Sequence, residues 1–179
     1  MSIEIAGQPA PTSPSDHGTA AGAVGSELLA RGFDELSVGA ELVTHGRTLT
    51  EADVVGFAGL TGDWHRQHTD PDWARESLFG ERIAHGLLVL SCAMGLLPID
   101  SDRIVALRRV ADAKFKAPVR LGDTIHVVVT VAQLRVMDAG LGLVTLRWRV
   151  VDQRGATVIR ALIDVLWRRD ATAAATAPR

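Results

Sequence analysis

The chain is predicted to be an α+β protein in which an antiparallel sheet wraps around a central buried helix. Three observations predict this. From about residue 103 onward, apolar residues recur with a period of two in four successive runs. Upstream, residues 86–97 form the longest apolar stretch and stop at Pro98. Between residues 50 and 71 two helix-start signals place further helices in the first half.

The elements follow in order. Residues 1–27 are rich in Gly, Ala, Pro, Ser and Thr with little periodicity and read as a tail, as do residues 170–179, so the folded unit is 28–169. A strand is expected near Glu41–Thr48. Thr50-Glu51-Ala52-Asp53 has the form of a capping box, and Val54, Phe57 and Ala58 then follow at helical spacing up to Gly59 and Gly62. Asp70 stands at an N-cap position with Pro71 after it, where a missing N–H costs nothing, and that short helix should end near Gly80. The helix from His85 to Leu97 is apolar nearly all round and should be buried on every side.

Four half-buried strands complete the unit. Val105, Leu107, Ala111, Ala113 and Phe115 should share a face, as should Ile125, Val127, Val129 and Val131. The same holds for Val144, Leu146, Trp148 and Val150, and for Ile159, Ala161, Ile163, Val165 and Trp167. Turns are expected at Asp138–Gly140 and Asp152–Gly155. A sheet with one apolar face and one helix too apolar for a surface pack most economically with the sheet around the helix.

Composition narrows the function classes. With 179 residues, 47% hydrophobic and 22% charged, this is an ordinary single globular domain. A formal charge of −2 argues against nucleic acid as a partner, which would require excess cations. The apolar stretch is shorter than the roughly 20 residues a bilayer demands. The single cysteine, Cys92, allows no intrachain disulfide, and no signal-like segment stands at the start, so a cytoplasmic setting is the expectation.

The informative segment is Thr61-Gly62-Asp63-Trp64-His65-Arg66-Gln67-His68-Thr69-Asp70-Pro71, read as a loop between two helices. A carboxylate and an imidazole five positions apart can face one cavity, and these side chains are the best suited to moving protons near neutral pH. Desolvation of Asp63 by Trp64 or Phe57 would make it a stronger base. The alternative is that Asp63 caps a turn and His68 packs or faces solvent. Ala84-His85-Gly86 opens the buried helix, whose first amides lack partners and carry the positive dipole end. A glycine there lets a ligand oxygen approach, or lets helix and sheet pack tightly. The spacing of His65, His68 and Asp70 matches no strong ligand signature, so no metal is expected. Cys92 reads as a core residue, and Trp148 and Trp167 as packing. Arg103, Arg108, Arg109, Lys114, Lys116 and Arg120 form a basic region suited to phosphate groups or to a solvated strand face.

Taken together, these motifs resemble the MaoC-like dehydratases, the (R)-specific enoyl-CoA hydratase group of the hot-dog superfamily. The family pattern is Gly-Asp, then Asn-Pro and one more residue, then His. Here it stands as Gly62-Asp63-Trp64-His65-Arg66-Gln67-His68, and the resemblance continues through Phe79-Gly80, Ile83-Ala84-His85-Gly86, Phe115–Val119 and Gly122-Asp123. It implies a hot-dog fold and a hydratase/dehydratase acting on 2-enoyl or 3-hydroxyacyl thioesters. Asp63 and His68 would handle the water, and the Gly86 amide would bind the thioester oxygen. His65, Arg66 and His85 are the expected substrate-binding residues. No cofactor is implied beyond coenzyme A or phosphopantetheine as part of the substrate. The implied partners are an acyl thioester, acyl carrier protein and a second copy of the chain in a homodimer or higher homo-oligomer, with neither nucleic acid nor membrane.

One departure lies inside the motif. His65-Arg66 replaces the usual Asn-Pro, which should leave that turn freer because proline fixes one backbone angle. An intact site with altered geometry, a site for an unusual acyl group, and a site that binds without turnover are the readings this leaves. A hot-dog acyl-thioesterase and a non-catalytic acyl-thioester binding protein are the alternatives to a hydratase.

Overall fold

In the computed structural model the described residues are 28–169; the two tails expected from composition lie outside them. A six-stranded antiparallel sheet dominates. Its strands are β1 (Glu41–Val43), β2 (Arg47–Thr48), β3 (Ile104–Phe115), β4 (Thr124–Val136), β5 (Leu141–Asp152) and β6 (Thr157–Arg168). They lie in the order β1–β4–β5–β6–β3, with β2 also on β4. The helices are α1 (Glu51–Thr61), α2 (Arg66–Thr69), α3 (Pro71–Arg75) and α4 (Gly86–Gly95). No helix among the described residues is long and apolar enough to cross a membrane.

The alternation read from β4, β5 and β6 is the inner face of the sheet. Ile125, Val127, Val129, Val144, Trp148, Val150 and Ile163 are fully buried, and Trp167 is nearly so. They pack with Leu88, Val89, Cys92 and Ala93 of α4 in one core cluster. The β4–β5 and β5–β6 turns fall where Asp138–Gly140 and Asp152–Gly155 predicted them. Gly155 takes a left-handed φ of 82°, and Asp152 accepts from the Arg154 and Ala156 amides.

Four expectations need correction. The first strand is split: Thr44 turns inward, and its hydroxyl accepts the Val127 amide at 2.9 Å, so a side chain replaces a ladder bond between β1 and β2. The helix opened by Asp70 ends at Arg75, and residues 76–80 form turns up to Gly80 at φ 73°. The central helix is shorter than expected and buried on one side only. Leu87 is 62% exposed and Ser91 also faces out, because no element among the described residues covers that side. Most of β3 is exposed rather than half-buried. It is an edge strand, its pairing with β6 shifts register three times, and Asp112 adopts a left-handed φ of 49°, which scrambles the period-two pattern.

Candidate active site

The site is assembled where α1 ends and α4 begins. Thr50 and Asp53 form the reciprocal capping box that starts α1, and Arg47 pairs with Asp53 there. At the other end Gly62 takes φ 79° and its amide bonds the Ala58 carbonyl at 2.8 Å. That left-handed residue turns the chain so that Asp63 leaves the helix axis. Part of the presumed loop is the single-turn helix α2, capped by the His65 ring, whose Nδ1 accepts the Gln67 amide at 3.1 Å. His68 lies on this turn. Buried Gln67 docks it, donating to the Glu81 carbonyl at 3.0 Å while its own carbonyl accepts the Ile83 amide.

These constraints bring Asp63 and His68 together. One carboxylate oxygen of Asp63 and one ring nitrogen from each of His68 and His85 lie within 4.8 Å of one another. His68 Nδ1 donates to the Ile83 carbonyl at 2.7 Å, which fixes the tautomer and leaves the Nε2 lone pair free. Burial pushes the His68 pKa below its ordinary value; the neighbouring His85 ring adds to this, and the Ile83 carbonyl and Asp63 oppose it. His68 is therefore a neutral base at neutral pH.

His85 is 2% exposed and its ring stacks on His68, with centroids 3.8 Å apart and a tilt of 31°. Its Nε2 donates to the Asp63 carbonyl at 3.0 Å. The metal trio considered from the sequence, His65, His68 and Asp70, is not the cluster that forms. In the cluster that does form, Asp63, His68 and His85, the two rings are tilted by 31° and one nitrogen of each is bonded to a carbonyl.

A cavity of about 430 Å³ adjoins the cluster. His68, Ile83, Gly86, Leu87, Phe79 and Phe115 are among its walls. His85, the residue before α4, makes no side-chain cap, so the first amides of this helix have neither an intrahelical acceptor nor a cap. Gly86 serves packing as well: a Cβ there would lie 2.8 Å from the Phe115 ring. Asp63 is not among the cavity walls and is exposed, so neither Trp64 nor Phe57 desolvates it as the sequence had suggested. Among the described residues nothing covers residues 61–66.

The remaining candidates divide. His65 is occupied as a cap and meets Trp73 edge-on at 5.6 Å. Arg66 bonds Asp70 through Nε at 3.0 Å and Nη2 at 2.8 Å and lies over Trp73. Of the basic region, Arg109 pairs with Asp164 and Arg120 with Glu81, while Lys116 lines the cavity. Cys92 is a buried free thiol whose pKa burial raises. Sequence reasoning missed the Ile83 carbonyl and Phe115 over Gly86. The Ala84-His85-Gly86 motif gave a signal near both, but a backbone acceptor leaves no mark in side-chain patterning.

Sheet, helix and site together define a hot-dog protein with a paired carboxylate and imidazole. The chain belongs to the MaoC-like domain family, whose model matches residues 35–151. It is 44% identical over 99 residues to Protein MaoC of Klebsiella aerogenes, across 55% of this chain and 30% of that protein, so it spans less than a third of that relative. It is 34% identical over 108 residues to an (R)-specific enoyl-CoA hydratase of Rhodospirillum rubrum, across 60% of this chain and 74% of that one. Among solved structures, a monoamine oxidase regulatory protein from Archaeoglobus superposes with a TM-score of 0.74 at 35% identity, over 78% of this chain and 95% of that chain. A Mycobacterium tuberculosis protein described as having a double hot-dog fold gives a TM-score of 0.72 at 23% identity, over 83% of this chain and 46% of that one, which supports the fold.

Proposed function

We propose that the protein is a hydro-lyase that adds water to a 2-enoyl thioester or removes it from a 3-hydroxyacyl thioester. One observation carries this reading: a carboxylate oxygen of Asp63 and a ring nitrogen of each of His68 and His85 lie within 4.8 Å of one another, beside a cavity whose wall includes the uncapped start of a buried helix. In hydration, a water held by Asp63 and His68 Nε2 gives one proton to that pair as its oxygen bonds C3 of the enoyl group. The double-bond electrons move toward the thioester oxygen, which the Gly86 amide and the helix dipole stabilise. The pair then returns a proton to C2. Dehydration is the same sequence reversed. The likeness to the Rhodospirillum rubrum hydratase supports the chemistry. Coenzyme A or acyl carrier protein would deliver the acyl group, with Lys116 at the cavity placed to meet an anionic carrier. The buried thiol of Cys92 fits a reducing, cytoplasmic setting.

The reading includes a homodimer. The edge strand β3 carries unpaired backbone groups along one side and exposes Val105, Leu107 and Val110 at 41–53%. A second copy paired antiparallel on β3 would bury them.

The test is a hydration assay on short and medium trans-2-enoyl-CoA substrates, followed by loss of conjugated absorbance. D63N and H68A should each lower kcat by about 10²-fold or more. A wild-type protein inactive on every enoyl thioester, or a D63N variant at full rate, refutes the proposal. Release of free thiol without hydration would instead mark a thioesterase, and saturable acyl-CoA binding without turnover would mark a binding protein.

A further inference from the structure

We propose that His85 is a positioning residue, which holds the Asp63 main chain and the His68 ring against the head of α4. The inference rests on the hydratase reading of that site. One imidazole makes three contacts: its Nε2 donates to the Asp63 carbonyl at 3.0 Å, one face stacks on His68 at 3.8 Å, and Phe57 lies 5.0 Å away. Its own backbone, at φ −59° and ψ 135°, is the N-cap of α4. A single residue thus links the carboxylate, the imidazole and the amides assigned to the thioester oxygen.

The bond to Asp63 has no substitute. The other hydrogen bonds of residues 62–64 run to Ala58, Thr61, His65 and Thr69 or stay within the segment, and so bind it to α1 and α2 only. Among the described residues, His85 Nε2 makes the one hydrogen bond that ties this segment to α4. The opposite ring atom sharpens the point. With Nε2 as donor, Nδ1 is an acceptor, and it is buried with no partner. An unpaired buried ring nitrogen is unfavourable, so packing alone would be better served here by phenylalanine. The imidazole earns its place through its Nε2–H. The His85 ring is 2% exposed behind His68, so it acts through Asp63 and His68 rather than on substrate.

Two substitutions separate the ring from the donor. His85→Phe keeps an aromatic face and loses the N–H. His85→Gln sets an amide N–H near the Nε2 position and loses the ring. His85→Phe should lower kcat by about 10²-fold, as a misplacement near 1 Å does, with KM changed by less than threefold. His85→Gln should recover at least tenfold of that loss. Amide exchange at Trp64 and His65, compared at matched Tm, should speed up in His85→Phe and slow again in His85→Gln. If His85→Phe does not fold, His85→Asn, too short to reach the Asp63 carbonyl, takes its place. Wild-type kcat in the donorless variant, unchanged exchange, or an effect on KM alone overturns the assignment. A wild-type protein inactive on all enoyl thioesters overturns the hydratase reading instead, and the exchange comparison by itself then decides the role of His85.

Discussion

Replacing Gly86 by alanine probes the closest approach in the site. An added Cβ would lie 2.8 and 2.9 Å from two atoms of the Phe115 ring. Ordinary contact begins near 3.4 Å, so the ring must retreat by at least about 0.6 Å. Phe115 is 52% exposed and free to swing, so the overpacking cost falls at the low end of the usual range. Alanine also gains up to about 1 kcal/mol of helix propensity over glycine. The two nearly cancel, and Tm should stay within about 4 °C of wild type. Activity should not escape so lightly. Phe115 and Gly86 both line the cavity, and a shift of this size in a substrate-positioning wall should cost about tenfold in kcat/KM, given about 10²-fold per ångström. The assay is hydration kinetics with a thermal melt on the same preparation, for G86A, F115L and the double variant. F115L in the G86A background should restore most of the rate, giving a coupling between the two sites. Full activity in G86A, a Tm loss above 10 °C, or no recovery in the double variant would refute the reasoning.

The other predictions follow from the same coordinates. Because burial lowers the His68 pKa, the acid limb of kcat/KM against pH should have its midpoint below the ordinary 6.5; His85, His65 and Asp63 are the titratable neighbours that face it, and a midpoint at or above 6.5 contradicts the neutral-base assignment. The sign for stability is the same: below pH 6.5 the unfolded chain takes up this proton more readily than the folded one, so Tm should fall as pH drops toward the depressed value. Gly142→Ala would set a Cβ into the ring of Phe33, which is 4% exposed and cannot swing, so a loss of about 1–3 kcal/mol, read as a Tm drop of roughly 2–12 °C, is expected, and an unchanged melt would contradict the packing. Leu107→Lys with Val110→Lys should convert a dimer to a 19.1 kDa monomer in sedimentation, and a wild-type chain already monomeric removes β3 as a dimer edge.

What the sequence made legible follows from where the physics is local. The Thr50 capping box and the Asp70-Pro71 start are set by neighbours within three residues, and both form as read. The inner faces of β4, β5 and β6 show because one side is buried for the whole length, which forces alternation. In β3 that pressure is missing: exposed on nearly every residue and bulged three times, it has no single period to display. Helix α2 has four residues, too few for a helical period to register. The Asp63 and His68 pair was legible from the whole motif, since the five-residue spacing alone left a turn cap and a packed ring open. Its closure by His85 was not, because the bond runs to a main-chain carbonyl 22 residues away.

Side-chain contacts of His65 and Arg66 stand where the family pattern has Asn-Pro. Proline would stiffen this turn by fixing one backbone angle. Here side chains hold it instead. The His65 ring caps α2 by accepting the Gln67 amide, a bond worth about 1 kcal/mol for an N-cap. Arg66 reaches Asp70 four residues on with two N–H groups and lies over Trp73, which His65 meets edge-on. Asp70 is itself fixed, since its other oxygen accepts the Asp72 and Trp73 amides; the Trp73 amide first and Arg66 next hold its carboxyl below the usual range. Each surface contact is weak alone, but they share Asp70 and Trp73 and so restrain one another. The turn that the missing proline should have freed is therefore braced from outside. The difference is that this brace can be released: Arg66 and Asp70 part in high salt or acid, whereas a proline ring does not. Salt-dependent activity, absent in an Arg66→Pro variant with His65→Asn beside it, is the signature that distinguishes a braced turn from a rigid one.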